Sequence, residues 1–375
     1  MSRLGKCVLV LSLALSLTFF VVAPSAWAAN PWGGPTDIAG SIALGTGIPA
    51  DPYQISDPSE LAYMAQEVNL GNSSYDDESY ILTADLNMNG GLYYWTQIGT
   101  YTDRFEGNFN GNNHTISNLS INTPAVSCIG LFGFAQGGAV IENVVLANVN
   151  ITGDMYVGTL VGSLLAGTVL NCAVTTGSVN GSFSVGGLVG DMGASSQVDR
   201  CTAGVNVTGA ADEIGGLVGL SGGSITNSAA SGSVSGQDFT GGLIGYTSGA
   251  VSNSAASGSV SGQNAIGGLV GTSYAGGTVS NSAAIGDVSG TLEVGGLMGN
   301  DTGGTISGSA ASGGVSGPST VGGFIGWKDN VGGVSNNLSS GRVSGGAPIG
   351  SFAGRVLSPG TNVTGNAFDS QEGAA

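Results

Sequence analysis

The chain has 375 residues, with 24 acidic against 7 basic side chains and a formal net charge of −17 at pH 7. That balance excludes a nucleic-acid interface, which needs clustered Lys and Arg to meet phosphates, and it excludes docking on anionic lipid. Seventy glycines, far above the usual share of about 7%, exclude a helical fold, since each Gly costs a helix about 1 kcal/mol against Ala.

Residues 1–28 read as a cleaved export signal. Arg3 and Lys6 supply the positive start, Val8 to Val22 the apolar run, and Ala26-Trp27-Ala28 a small-x-small cleavage site. The run is shorter than the roughly 20 apolar residues of a membrane-spanning helix and ends at Pro24. No second such stretch follows, so the mature chain is expected in the extracellular space or on the cell surface, without membrane insertion.

Residues 29–50, rich in Gly and Pro, read as a flexible leader. A helix is predicted over 57–69, capped by Asp57, with Pro58 in its first turn and Glu60 placed to complete a capping box. Leu61, Met64, Ala65 and Val68 fall on one apolar face. After a polar loop at 72–78, strand character resumes at 80–86. Ile116, Leu119 and Ile121, separated by Asn and Gly, then suit short strands that turn sharply. Residues 51–127 are therefore expected to form an N-terminal cap and the first coils of a solenoid, with the helix covering its open end.

From 128 to 370 the chain repeats. Nine copies of Gly-x-Leu-x-Gly recur at 26 to 29 residue spacing, clearest at Gly186–Gly190, Gly215–Gly219, Gly241–Gly245, Gly267–Gly271 and Gly295–Gly299. A fixed period of this size marks a solenoid, in which each unit buries its apolar face only against its neighbours. Each unit reads as three short strands: the Gly-rich signature, a Val/Ile-x-Asn-x-Ala segment such as Val251–Ala255, and a Ser-Val-Ser-Gly segment such as Ser259–Gly262. The expected fold is all-β, a parallel β-helix of about nine such coils. Leu217 with Val218, and Leu269 with Val270, break strand alternation, so a Gly corner is expected to turn both inward.

The same spacing generates columns. Asn143, Asn171, Asn227, Asn253, Asn281 and Asn336 share one, interrupted by Arg200 and Gly308, and are expected to form a structural ladder of amides bonded rung to rung. Cys128 aligns with Val157, Val185 and Ile214 and reads as a small core hydrophobe. Cys172 and Cys201 hold the same place in consecutive repeats. Stacked strands about 4.8 Å apart would allow them a disulfide in an oxidising exterior.

The Gly-Gly-Leu-Val-Gly copies resemble the GLUG motif of bacterial exported proteins, which include non-catalytic regions of IgA-specific metallopeptidases. Asp51-Pro-Tyr-Gln-Ile-Ser56, Trp95-Thr-Gln-Ile-Gly99 and Phe105-Glu-Gly-Asn-Phe-Asn-Gly-Asn-Asn-His-Thr-Ile116 are similar to the module that commonly precedes those repeats. The resemblance covers about residues 50 to 370. It implies a right-handed β-helix at a cell surface or in the medium, often an adhesin or stalk. Asn366-Ala-Phe-Asp369 looks like the start of a closing unit, and residues 371–375 read as a truncated tail.

No catalytic, cofactor or metal site is expected. The single histidine, His114, cannot supply the pair that a zinc protease helix needs and reads as a turn residue. The nearest acidic groupings, Asp191 with Asp199 and Asp212 with Glu213, do not recur in register to form a cleft. Tyr93, Tyr94, Trp95 and Tyr101 form an aromatic cluster that could stack on sugar, although a packed end-cap is the simpler account. The sequence thus reads as a non-enzymatic adhesion or surface-display scaffold, whose partners would be an extracellular glycan or a surface protein of a neighbouring or host cell. A carbohydrate-binding module is the alternative, and a polysaccharide-active enzyme a more distant one.

Overall fold

The computed structural model describes residues 33–356, apart from 91, 275, 330 and 331, together with 363–368. The export signal expected at 1–28 and the tail at 371–375 lie outside the described residues.

Successive turns of the chain stack into a parallel β-helix. The coil beginning at Val234 illustrates how the sequence builds it. Its strands are Val234–Ser235, Asp238–Gly241, Ile244–Thr247, Ala250–Ser252 and Ala255–Ala256, one on each of five faces. Each pairs in parallel with its counterpart one coil later: Val234 with Val260, Thr240 with Ile266, Ile244 with Val270, Val251 with Val279 and Ala255 with Ala283. Among the described residues the five faces hold 9, 8, 9, 12 and 11 strands in that order.

Five strands per coil, rather than three, is a correction, and backbone conformation is the cause. Asn227, Asn253, Asn281 and Asn336 all have φ between 49° and 57°, and Gly308 in the same column has φ 62°. A left-handed residue ends the fourth strand and starts the fifth, so the Val/Ile-x-Asn-x-Ala segment is two strands around a corner. Asn and Gly tolerate this conformation best among the common residues, which explains the column without any ladder. Amide bonding does occur at its start, where Asn171 Nδ2 donates to Asn143 Oδ1 at 3.2 Å and Arg200 Nε to Asn171 Oδ1 at 2.8 Å. Asn227 instead donates to Asp199 Oδ1 at 2.8 Å. The column is thus a run of corners, with amide bonding confined to its first rungs.

The Gly-Gly-Leu-Val-Gly signature is likewise a corner, between the second and third faces. A Cβ on Gly241 would overlap Ile244 O, one on Gly242 would overlap Gly268 O of the next coil, and one on Gly245 would overlap Glu213 of the preceding coil. Only glycine lets the chain double back this closely while touching the coils on both sides. The corner sends both central residues inward, as expected: Leu243 and Ile244, and Leu269 and Val270, are each 0% exposed. With Val234, Val260, Val288 and Val315 they line a continuous dry interior. Burying each valine contributes roughly 1.5 kcal/mol or more, and β-branched side chains suit the pleat.

The N-terminal segment supplies the first rungs of the fourth face, Tyr53–Ile55, Ser79–Leu82 and Asn108–Asn110. Between the first two lies helix α1 (Pro58–Asn69). Asp57 Oδ1 accepts from the Ser59 and Glu60 amides at 2.8 and 3.2 Å, and Glu60 reaches back to the Ser56 amide at 2.7 Å. Leu61, Met64, Ala65 and Val68 are buried on the core, as their spacing requires. Asn69 ties α1 to the first coils, donating to Gln97 O and accepting from Gly99 N.

Candidate functional site

The Gly corner determines the surface as well as the core. Because Gly245 rests on Glu213, Gly271 on Phe239 and Gly326 on Glu293, the second face of one coil lies against the third face of the next. Two outward columns meet along this seam. One carries Cys128, Tyr156, Ser184, Glu213, Phe239, Ala265, Glu293 and Thr320, all with φ between 50° and 66°. The other, in the strand register, carries Ser163, Asp191, Leu220, Tyr246, Thr272, Asn300 and Trp327.

Polar groups pair within and across the seam. Ser163 Oγ donates to Asp191 Oδ2 at 3.2 Å, Ser184 to Glu213, and Asn300 Nδ2 to Glu293 Oε2 at 2.7 Å. Burial, and secondarily the Glu213 charge, raise the Asp191 carboxyl above the ordinary carboxylate range against the Ser163 hydrogen bond. Glu293 is raised in the same way, by burial first and then by Asp238. A carboxyl raised on folding adds stability that is complete below its unfolded pKa and lost as pH rises through its folded value. We therefore expect the melting temperature to fall as pH rises above the ordinary carboxylate range. Asp191→Asn and Glu293→Gln should each flatten that fall in thermal melts, and an unchanged pH profile would contradict the assignment. Asp199 has the opposite sign. Burial pushes it up, but bonds from Thr226 and Asn227 and the Arg200 guanidinium outweigh this, so its contribution disappears as pH falls through its lowered value.

The expected acidic groupings are thereby rearranged. Asp191 shares the seam with Glu213, whereas Asp199 lies on the fourth face beside Arg200, at 3.4 Å. His114 occupies a turn, with Nδ1 3.2 Å from Asp85 Oδ1. Among the described residues no group of three or more His, Cys, Asp or Glu is placed to hold a metal ion. No helix there is long and apolar enough to cross a membrane.

The aromatic cluster separates. Trp95 is 4% exposed, in the core under α1, and its Nε1 donates to Leu131 O at 3.3 Å, so it cannot serve as a stacking platform. Tyr93, Tyr94 and Tyr101 are exposed, and Tyr101 packs edge-on against Phe134 with Arg104 over its ring. A cleft of about 210 Å³ does open beside Trp95, lined by Pro35, Ile38, Ala65 and Asn69 among others.

The cysteines are corrected in two respects. Ile129, not Cys128, pairs with Val157. Cys128 therefore belongs to the seam column, where burial and the Asp191 charge push its thiol up to about 12. Cys172 and Cys201 do occupy consecutive rungs but are free thiols. In this structure they take part in a hydrogen-bond ladder that repeat spacing alone does not reveal. The Cys172 amide donates to Cys201 Sγ at 3.4 Å, the Cys201 amide to Ser228 Oγ at 3.1 Å, and Ser228, Ser254 and Ser282 continue it, each donating to the next serine at 3.2 Å. Ser309 and Asn337 extend it to Asn366. Each hydroxyl or thiol also bonds the carbonyl two residues back, as Cys201 Sγ does to Asp199 O at 3.3 Å. Both thiols thus act as hydroxyl substitutes in a satisfied buried network. The signal was present in Asn-Ser-Ala, where Ser228, Ser254 and Ser282 align with Cys172 and Cys201.

Comparison with known proteins agrees with this architecture. The family model of the GLUG motif matches residues 211–235 and 262–289. Over 173 residues, 45% of this chain, the sequence is 37% identical to halomucin of Haloquadratum walsbyi, of which it covers 2%. Over 113 residues, 30% of this chain, it is 35% identical to a provisionally named Gly-rich membrane protein of Evansella cellulosilytica, of which it covers 12%. The crystal structure of a protein provisionally assigned as an immunoglobulin A1 protease, from Bacteroides ovatus, superposes with a TM-score of 0.52 at 19% identity. That match covers 88% of this chain and 87% of the other, and it supports the fold alone. The chain carries GLUG-motif repeats on a parallel β-helix, and each matched copy contains one complete seam corner.

Proposed function

We propose that this chain is a non-enzymatic shaft, displayed on a cell surface or released into the medium, that presents its faces for adhesion to a neighbouring surface. The observation that carries this reading is the unbroken parallel register. Twelve rungs of the fourth face stack over a dry interior, a rod on the order of 50 Å long. Such a rod provides length and repeated surface, and the similarity to halomucin favours an exported setting. A non-enzymatic role is supported by the seam carboxylates, since Asp191 and Glu213 are each already bonded to a serine. Protease treatment of intact cells, followed by immunoblotting, tests the location. The chain should be degraded without lysis, and protection until lysis would contradict the proposal. Purified chain coated on beads should retain cells without releasing reducing ends from polysaccharide. Beads that fail to retain cells, or that release sugar, would contradict the adhesive, non-enzymatic role.

A further inference from the structure

We infer that the seam between Tyr246 and Trp327 binds an extended, uncharged polysaccharide. Three consecutive rungs of the third face place Thr272, Asn300 and Trp327 in one outward column. Each has a buried polar atom without a partner: Thr272 Oγ1, Asn300 Oδ1 and Trp327 Nε1. Thr272 itself is only 4% exposed. A buried polar group left unpaired costs roughly 1–3 kcal/mol, so three in one column are a sustained expense that packing alone does not explain.

The chemistry of the row is specific. A hydroxyl, an amide oxygen and an indole N–H, spaced about 4.8 Å apart along the axis, can both donate to and accept from the hydroxyls of a polyol chain. Aromatic rings stand at both ends. Tyr246 stacks with Tyr274 at 6.2 Å and 25°, and Arg355 lies 5.3 Å from the Trp327 ring centroid. A flat apolar ring with a polar edge is the usual partner of a sugar face. Tyr274 is 54% exposed and Arg355 is exposed, so surface side chains are what must move to admit a ligand.

Two other ligand classes fit less well. An extended peptide would add to a sheet edge, but every strand in this stretch already pairs on both sides, from Ile244–Thr247 to Ile325–Lys328. An anionic polysaccharide would meet Glu293 and Asp238. The inference does not depend on the shaft being adhesive. It also moves carbohydrate recognition away from Trp95, which is buried.

Affinity electrophoresis of the full chain tests it, in gels containing hydroxyethylcellulose, galactomannan or laminarin, with alginate as the anionic control. We expect retardation in at least one uncharged glycan and none in alginate. Thr272→Val and Trp327→Ala should weaken that retardation at least tenfold, while Tyr94→Ala leaves it intact. Thr272→Val should also hold or raise the melting temperature, because it removes the unpaired hydroxyl, so a loss of binding there cannot be a loss of folding. Absence of retardation in all three glycans, unchanged retardation of both seam variants, or binding instead to an unfolded polypeptide such as reduced, carboxymethylated α-lactalbumin would each overturn the inference.

Discussion

Asp301→Asn should destabilise the C-terminal rungs by about 3–5 kcal/mol, the usual cost of leaving a buried charge without its partner. Asp301 and Lys328 face inward on successive rungs of the third face, 0% and 2% exposed at their side chains, with Lys328 Nζ 2.9 Å from Asp301 Oδ2. In earlier coils the same column holds Leu164, Met192, Ser221 and Thr247. An ion pair thus stands where uncharged side chains, apolar or hydroxyl, suffice. The Asn variant keeps Oδ1, which accepts from the Gly303 and Gly304 amides at 3.2 and 2.7 Å, so it removes charge without removing the turn. Adding Lys328→Met should restore most of the loss, because replacing both charges by groups of similar shape is often neutral or stabilising. Native-state hydrogen exchange is the suitable readout, since a repeat array loses structure rung by rung. The defect should persist in high salt, which screens only exposed charges.

Gly268→Ala should produce the second large effect, a loss of roughly 1–3 kcal/mol or more from overpacking against backbone that cannot yield. A Cβ there would overlap Gly296 O of the next coil and approach Ala284 and Val288. Protection should be lost first in the coils on either side. Gly40→Ala is the control, because nothing lies within 4 Å of a Cβ at that position. If both variants exchanged alike, the corner would not require glycine.

Much of this architecture was legible in the sequence, because a solenoid writes its contacts as a period. Val234, Val260 and Val288 stack because the spacing that aligns them in sequence also aligns them in space. The helix was legible for a local reason, since Asp57, Pro58 and Glu60 act within one turn. What eluded the sequence reading depends on backbone dihedrals or on contacts between different positions of adjacent coils. Left-handed Asn corners divide one apparent strand into two, and no composition rule distinguishes an amide ladder from a run of corners. The packed end-cap reading of the aromatic cluster holds for Trp95, but which of its aromatics α1 and the first coils would cover depends on contacts distant in sequence. The seam is the clearest case. Asp191 meets Glu213 of the following coil, and Asn300 meets Glu293 of its own coil, because the Gly corner folds the second and third faces against each other. Cys172 and Cys201 are close, as spacing requires, and their alignment with the serine column accounts for the amide bonds around them.

The central claim is that equivalent residues of successive coils lie one strand spacing apart. Thr152, Asn180, Thr208, Ser235, Ser261, Ser289, Ser316 and Ser344 form one outward column of the first face. Double electron–electron resonance between spin labels on pairs from this column reads the spacing directly. The account predicts narrow distributions that grow linearly at about 4.8 Å per rung, near 24 Å for Thr208 with Ser344 and near 34 Å for Thr152 with Ser344. Broad distributions, or distances that do not increase in proportion to the number of rungs, would contradict it.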